Sequence, residues 1–267
     1  MPAIFGAATT DDITITTVNI HTTATISLVY GWWRPTTLTA TRGLWSNGNI
    51  IGAEIDATTD ELRLRTDNTT DGQWTTAGVD LAVGEWKFIA CVRSSLSGTP
   101  SAAWRVWAGD ITTAPVEATV TNAIAPVGNF VGGASFFLGN KGTASLAFQG
   151  EISNAGEIGS SDTAGITTHP FGIAAYGAIT NAEAAWIYEQ FVLPAWSGDY
   201  SFAHINRTSS VEHWHLSCDP LFAAVGEVRN SATVLQPAAV TVNGATYSDT
   251  RDPRGAHNLI ARSLVRR

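Results

Sequence analysis

Residues 50–66 read Ile-Ile-Gly-Ala-Glu-Ile-Asp-Ala-Thr-Thr-Asp-Glu-Leu-Arg-Leu-Arg-Thr. Apolar side chains fall on every second position of each half, Ile51, Ala53 and Ile55 and then Leu62 and Leu64. A period of two places them on one face of an extended chain and puts Glu54 and Asp56 together on the other. Ala57-Thr58-Thr59-Asp60 supplies the loop between the halves. The stretch therefore predicts a β-hairpin with arms Ile50 to Asp56 and Glu61 to Thr66.

The same pattern recurs on either side, with turn signals about every ten residues. Upstream, Asp12 to Ile20 alternates through Ile13, Ile15, Val18 and Ile20, and Ala24 to Trp33 is a stronger apolar strand. Arg34-Pro35 closes it, because proline cannot continue a central ladder. Gly43 to Ser46 is short and runs into the turn Asn47-Gly48-Asn49. Downstream, Gly84 to Val92 predicts a buried strand, and Ala103 to Ala108 its partner across a Ser-Leu-Ser-Gly-Thr-Pro turn. Phe136 to Gly139, Ala147 to Ile158, Val211 to Ser217 and Ala238 to Ala245 complete the predicted strands. One helix is expected over Thr180 to Gln190, where Thr180 and Glu183 form a capping box. Trp186, Ile187 and Phe191 define its inward stripe, and Pro194 stops it.

Composition agrees with extended structure. Of 267 residues only 14% are charged, Lys occurs twice (Lys87 and Lys141), and there are ten Trp. The length suits one large β domain, expected over residues 1–248, followed by a basic arm over 249–267. Net charge is −8, but residues 1–250 carry 10 basic and 22 acidic groups, whereas the segment from Arg251 onward carries five Arg and one Asp. An acidic body argues against a nucleic-acid partner. No secretory leader is expected at Met-Pro-Ala-Ile-Phe, and no run of about 18 apolar residues is long enough to span a membrane. Cys91 and Cys218 are too few for a disulfide framework and read as buried thiols, with a single bridge between them the alternative.

Four pieces in this order resemble the laminin-G-like jelly roll of the concanavalin A-like superfamily. They are Ile26 to Pro35, a strand ending in aromatics and proline; Leu81 to Ala90 around Gly84-Glu85-Trp86; Phe137-Leu138-Gly139-Asn140 followed by Phe148-Gln149-Gly150-Glu151-Ile152; and the Thr180 to Gln190 helix. The resemblance covers roughly residues 1–195, while the chain from Glu212-His213-Trp214-His215-Leu216 onward departs from it. It implies an all-β fold, two antiparallel sheets packed face to face with one short helix. Lectins, glycan hydrolases, adhesion modules and viral structural proteins share that fold, so it does not decide function.

Several constellations invite chemistry. Glu54-Ile55-Asp56 resembles the E-hydrophobic-D strand of one glycanase branch, whose retaining mechanism needs two carboxylates about 5–5.5 Å apart. The third acid of that pattern is missing, since Thr58 and Thr59 occupy its places, and a solvated hairpin is the favoured reading. His213 and His215 flank Trp214 at a spacing a metal could use, yet zinc needs three or four convergent ligands. Asp11-Asp12, Asp67-Asn68 and Asp71 are loop acids of the kind that bind Ca²⁺ in some relatives, without an EF-hand spacing. Turn chemistry accounts for them, and no cofactor is expected. Trp32, Trp86 and Trp104 fall at core positions, whereas Trp45 and Trp74 lie beside turns and are the candidates for an exposed sugar platform. In the tail, Leu259, Ile260, Leu264 and Val265 are apolar anchors, and Arg251, Arg254, Arg262, Arg266 and Arg267 would meet acidic surface.

These features converge on a non-enzymatic structural protein of a bacteriophage virion, a capsid decoration or a fibre or tail appendage assembled in the host cytoplasm. It would dock by its arm on other virion proteins and associate as a homo-oligomer. The alternative is a glycan-binding lectin or adhesin that recognises a cell-surface glycan, and the third reading is a glycan hydrolase.

Overall fold

The computed structural model describes residues 3–160 except 9, 16–25, 49–50, 67–68, 95–103, 111, 114, 129–134 and 142–145, together with 210–215, 229–230, 240–244 and 246–247. Every regular element among them is a β-strand. The first six are β1 (Ala3–Phe5), β2 (Asp12–Ile15), β3 (Ile26–Pro35), β4 (Arg42–Asn47), β5 (Ile51–Ile55) and β6 (Glu61–Thr66). Next come β7 (Gly72–Asp80), β8 (Lys87–Ser94), β9 (Trp104–Asp110), β10 (Val116–Glu117), β11 (Thr119–Ile124), β12 (Phe136–Leu138) and β13 (Gly150–Ser160). The last are β14 (Ser210–His215), β15 (Arg229–Asn230), β16 (Val240–Asn243) and β17 (Thr246–Tyr247).

They form two antiparallel sheets. Sheet A has nine strands in the order β10-β9-β8-β3-β13-β1-β17, with β14 and β15 branching from β13. Sheet B has eight, in the order β11-β7-β6-β5-β4-β12-β2-β16. Both mix distant parts of the chain, as a jelly-roll sandwich requires. The predicted hairpin is β5–β6, in the register Ala53 opposite Leu64 and Ile55 opposite Leu62. The predicted pairing of Gly84–Val92 with Ala103–Ala108 is β8 with β9. Strands β1, β7, β10, β11, β15 and β17 add to the predicted set. The expected Thr180–Gln190 helix, Cys218 and the 249–267 arm lie outside the described residues.

Alternation sends one face of each sheet into a shared core. From sheet A come Val29, Trp33, Ile89, Cys91, Trp104 and Val106; from sheet B come Trp45, Ala53, Ile55, Leu62, Leu64 and Trp74. Trp104 of sheet A sits 5.8 Å from Trp45 and 6.4 Å from Trp74, joining the two layers through tilted and edge-on aromatic contacts. Cys91 lies within this core, and burial pushes its thiol well above the ordinary range. The outer face of sheet A is buried too. Tyr30, Trp32, Phe88, Ala90, Val92 and Trp107 alternate with the core residues, and all are at most 1% exposed. The outer face of sheet B is where polar side chains reach water.

Candidate functional site

On that outer face the β5–β6 hairpin sets charged side chains side by side. Glu54 stands opposite Arg63, and Gly52 opposite Arg65. Arg63 donates from Nε to Glu54 Oε1 at 2.6 Å and from Nη1 to Asp56 Oδ2 at 2.5 Å. Arg65 Nη1 reaches the same Glu54 oxygen at 3.5 Å. The turn is tightened by Asp56 Oδ1, which accepts from the Thr58 backbone N–H at 2.8 Å, and by Asp60 in the left-handed region at φ 58°. That Thr58 N–H, with help from the Arg63 guanidinium and against partial burial, holds the Asp56 carboxyl below the usual aspartate range.

This corrects the solvated reading of the hairpin, because Glu54 is only 5% exposed. Adjacency across β5–β6 supplied the arginines that make such burial tolerable. It also removes support for a glycanase pair. One guanidinium bridges both carboxylates, so they form an ion network rather than an acid facing a nucleophile.

Beside the network is a shallow cleft lined by Ser46, Gly52, Glu54, Arg65, Asn140 and Lys141. It is small and largely open to solvent. Asn140, Lys141 and Leu146 form one wall, seated by Gly43, whose N–H donates to the Leu146 carbonyl at 2.6 Å. A Cβ at Gly43 would come within 3.1 Å of that oxygen and 3.2 Å of the Asn140 carbonyl carbon, so a side chain there would press on this backbone. Asn140 is fully buried and pins this wall from within. Its Oδ1 accepts from the N–H groups of Lys141 (2.8 Å) and Leu146 (3.2 Å), and its Nδ2 donates to the Asp11 carbonyl at 3.3 Å. This holds the Lys141 backbone in place at the edge of the cleft. Phe137, half-buried on the same face, lies between Thr14 and Ser46 of the neighbouring strands.

The two tryptophans expected at the surface are not there. Trp45 is 1% exposed and Trp74 0%. Trp45 stacks on Phe136 at 5.8 Å. Proximity to a turn misled; strand parity decides. Trp45 pairs with Ala53 and Leu138, and Trp74 with Leu64, all inward-facing partners. Trp32 and Trp104 are buried as expected, while Trp86 is half-buried before β8. The signal for Phe137 was available in its position next to inward Phe136, and for Lys141 in its rarity.

The loop acids serve structure. Asp11 Oδ2 accepts from the Gly6 N–H at 2.8 Å, and Asp12 Oδ1 from the Thr14 hydroxyl at 2.7 Å; both are buried. Among the described residues no three His, Cys, Asp or Glu side chains come together as metal ligands. Asp67 and Asn68, the side chains of His213 and His215, and the tail residues Arg251, Arg254, Leu259, Ile260, Arg262, Leu264, Val265, Arg266 and Arg267 lie outside the described set. Among the described residues no helix is long and apolar enough to cross a membrane.

No family model and no curated protein matches the chain. Among solved structures, one similar chain is a protein of Bacteroides ovatus described as a candidate carbohydrate-binding protein, at 10% identity and a TM-score of 0.40. The match covers 58% of this chain and 42% of that one.

Proposed function

We propose that this chain is a non-enzymatic binding module, a lectin or adhesin, that presents the outer face of sheet B to a glycan. One observation supports it most: the cleft sets polar groups held by a buried anchor, Asn140, near a half-buried ring, Phe137, on an otherwise hydrophilic sheet face. Sugars offer both hydroxyls and an apolar C–H face, and sites for them combine a few placed polar groups with an aromatic surface. The cleft is too shallow to enclose a ring. It suits one hydroxyl or exocyclic group, with the ring lying over Phe137. A glycan array probed with the native protein and with Phe137→Ala tests the reading. Discrete positive glycans lost in the variant support it, and a flat array for the native protein overturns it.

The charge segregation of the chain favours a second, compatible role as a virion decoration or appendage protein. Its acidic body and the arginine-rich segment from Arg251 onward suit an arm docking on another subunit or another virion protein. Light scattering on the full chain and on a truncation ending at Ser248 tests this. A defined oligomer or particle-bound full chain alongside a monomeric truncation supports the arm; identical monomers overturn it.

A further inference from the structure

We infer that the glycan recognised at the cleft is an acidic one, whose carboxylate is held between Lys141 and Arg65; this rests on the glycan reading above. Three described arginines each have a close carboxylate. Arg34 has Glu151 at 3.0 Å, Arg105 has Glu117 at 2.6 Å, and Arg63 has Glu54 at 2.6 Å. The cleft departs from that habit. Arg65 reaches only Glu54, at 3.5 Å, and that carboxylate oxygen is already engaged by Arg63. The Arg65 side chain is still 31% exposed.

Lys141 is one of two lysines in the chain, and its ammonium has no carboxylate partner among the described residues. Arg65, loosely paired, and Lys141, without a carboxylate partner among the described residues, line one cleft. In a body this acidic, cations are scarce, and placing two loosely engaged ones at one notch favours an incoming anion. A guanidinium matches the planar fork of a carboxylate, and an ammonium adds a point charge. A uronic or sialic acid supplies that carboxylate as the exocyclic group the shallow cleft can take, and leaves its ring for Phe137.

The test is calorimetric titration of the full chain with trigalacturonic acid, its methyl ester, sialyllactose and lactose, at low and at high salt. The expected result is roughly tenfold or tighter binding of one carboxylate sugar over its neutral counterpart, the scale of one charge-assisted contact. That advantage should be screened by salt, abolished in Lys141→Met, and restored in Lys141→Arg. Which acid binds distinguishes a uronate from a sialate. Equal binding of acid and neutral forms overturns the inference and leaves the glycan reading standing, whereas no binding by any of them, together with a flat array, removes both. An acid preference unchanged in a folded Lys141→Met protein also overturns it.

Discussion

Strand β6 reads Glu-Leu-Arg-Leu-Arg-Thr, and strand β3 reads Ile-Ser-Leu-Val-Tyr-Gly-Trp-Trp-Arg-Pro. The first alternates between half-buried and buried along its length. In the second, Val29, Tyr30, Trp32 and Trp33 are all buried, although they point alternately to opposite faces. The two sheets differ in the same way. Sheet B has one dry face and one wet face, so its strands keep a period of two. The centre of sheet A is dry on both faces, and its strands read as continuous apolar runs: Lys-Phe-Ile-Ala-Cys-Val in β8 and Trp-Arg-Val-Trp-Ala in β9. Even the one charge in the β9 run is contained. Arg105 lies over the Trp107 ring at 4.8 Å and forks onto Glu117 through two 2.6 Å bonds. Both sheets contribute to the shared core, and among the described residues sheet B alone keeps a face that meets water.

The sharpest way to break this comparison is Trp32→Ala. Trp32 belongs to the outer face of sheet A, is 0% exposed and packs against Phe88 at 5.5 Å. If that face is core, truncation costs about 3–5 kcal/mol, as much as Trp45→Ala on the inner face of sheet B. Denaturant unfolding of both variants decides the matter, and a loss below about 1 kcal/mol for Trp32→Ala alone would break the symmetry. Ion pairs give the next contrast. Glu54→Gln leaves a half-buried Arg63 short of its 2.6 Å partner and should cost about 1–3 kcal/mol. Glu117→Gln removes a more exposed pair of equal length, where about 0.2–1 kcal/mol is expected. A double-mutant cycle of each pair measures the difference directly.

How legible the molecule was in its sequence depends on the same division. Where alternation was clean, as in β5 and β6, element, register and face could all be read. Where it failed, as in β3 and β8, the strand was recognisable from its apolar content, and for β8 its burial too, but the inward side chains could not be told from the outward ones. Residues Thr119 to Ile124 pair with β7 at the edge of sheet B, yet they are mostly exposed and uncharged, so no hydrophobic period marks them. The cleft was not legible. It depends on a wall anchored by Asn140 to the Asp11 carbonyl, 129 positions away, and on the absence of a side chain at Gly43. Neither has a local pattern. Trp45 and Trp74 show the opposite error, a local cue of turn proximity outweighed by pairing with distant inward residues.

Acid titration compares a carboxyl on each sheet, Asp56 after β5 of sheet B and Asp110 at the end of β9 of sheet A. The Asp56 carboxyl is lowered by the Thr58 N–H and by Arg63, and Asp110 is also lowered, its partial burial outweighed by hydrogen bonds from Thr112 and Thr113. A carboxyl with a depressed folded pKa contributes stability that is fully present above the ordinary value, about 3.9. That contribution is lost as pH falls through the depressed value. The unfolding midpoint should therefore hold steady from about pH 6 to about 4 and decline below it. Asp56→Asn should shrink the decline without altering the plateau slope, and an unchanged acid limb would mean that the hairpin turn carries none of it.

The smallest effect is expected from two adjacent threonines on β7, and it isolates the variable that separates the faces. Thr76 points into the sandwich, is 2% exposed, and its hydroxyl donates to the Leu62 carbonyl at 2.8 Å. Thr75 points outward beside Arg63 and Thr121, in water. Valine has the shape of threonine without the donor, so Thr76→Val removes one buried hydrogen bond and should cost about 1 kcal/mol. Thr75→Val removes only a hydrated hydroxyl from a residue type equally suited to strands, and should stay within about 0.5 kcal/mol of the native protein. Equal costs at the two positions would mean that sheet B is covered on its outer face as sheet A is, and that the cleft beside Glu54 is not open to a ligand.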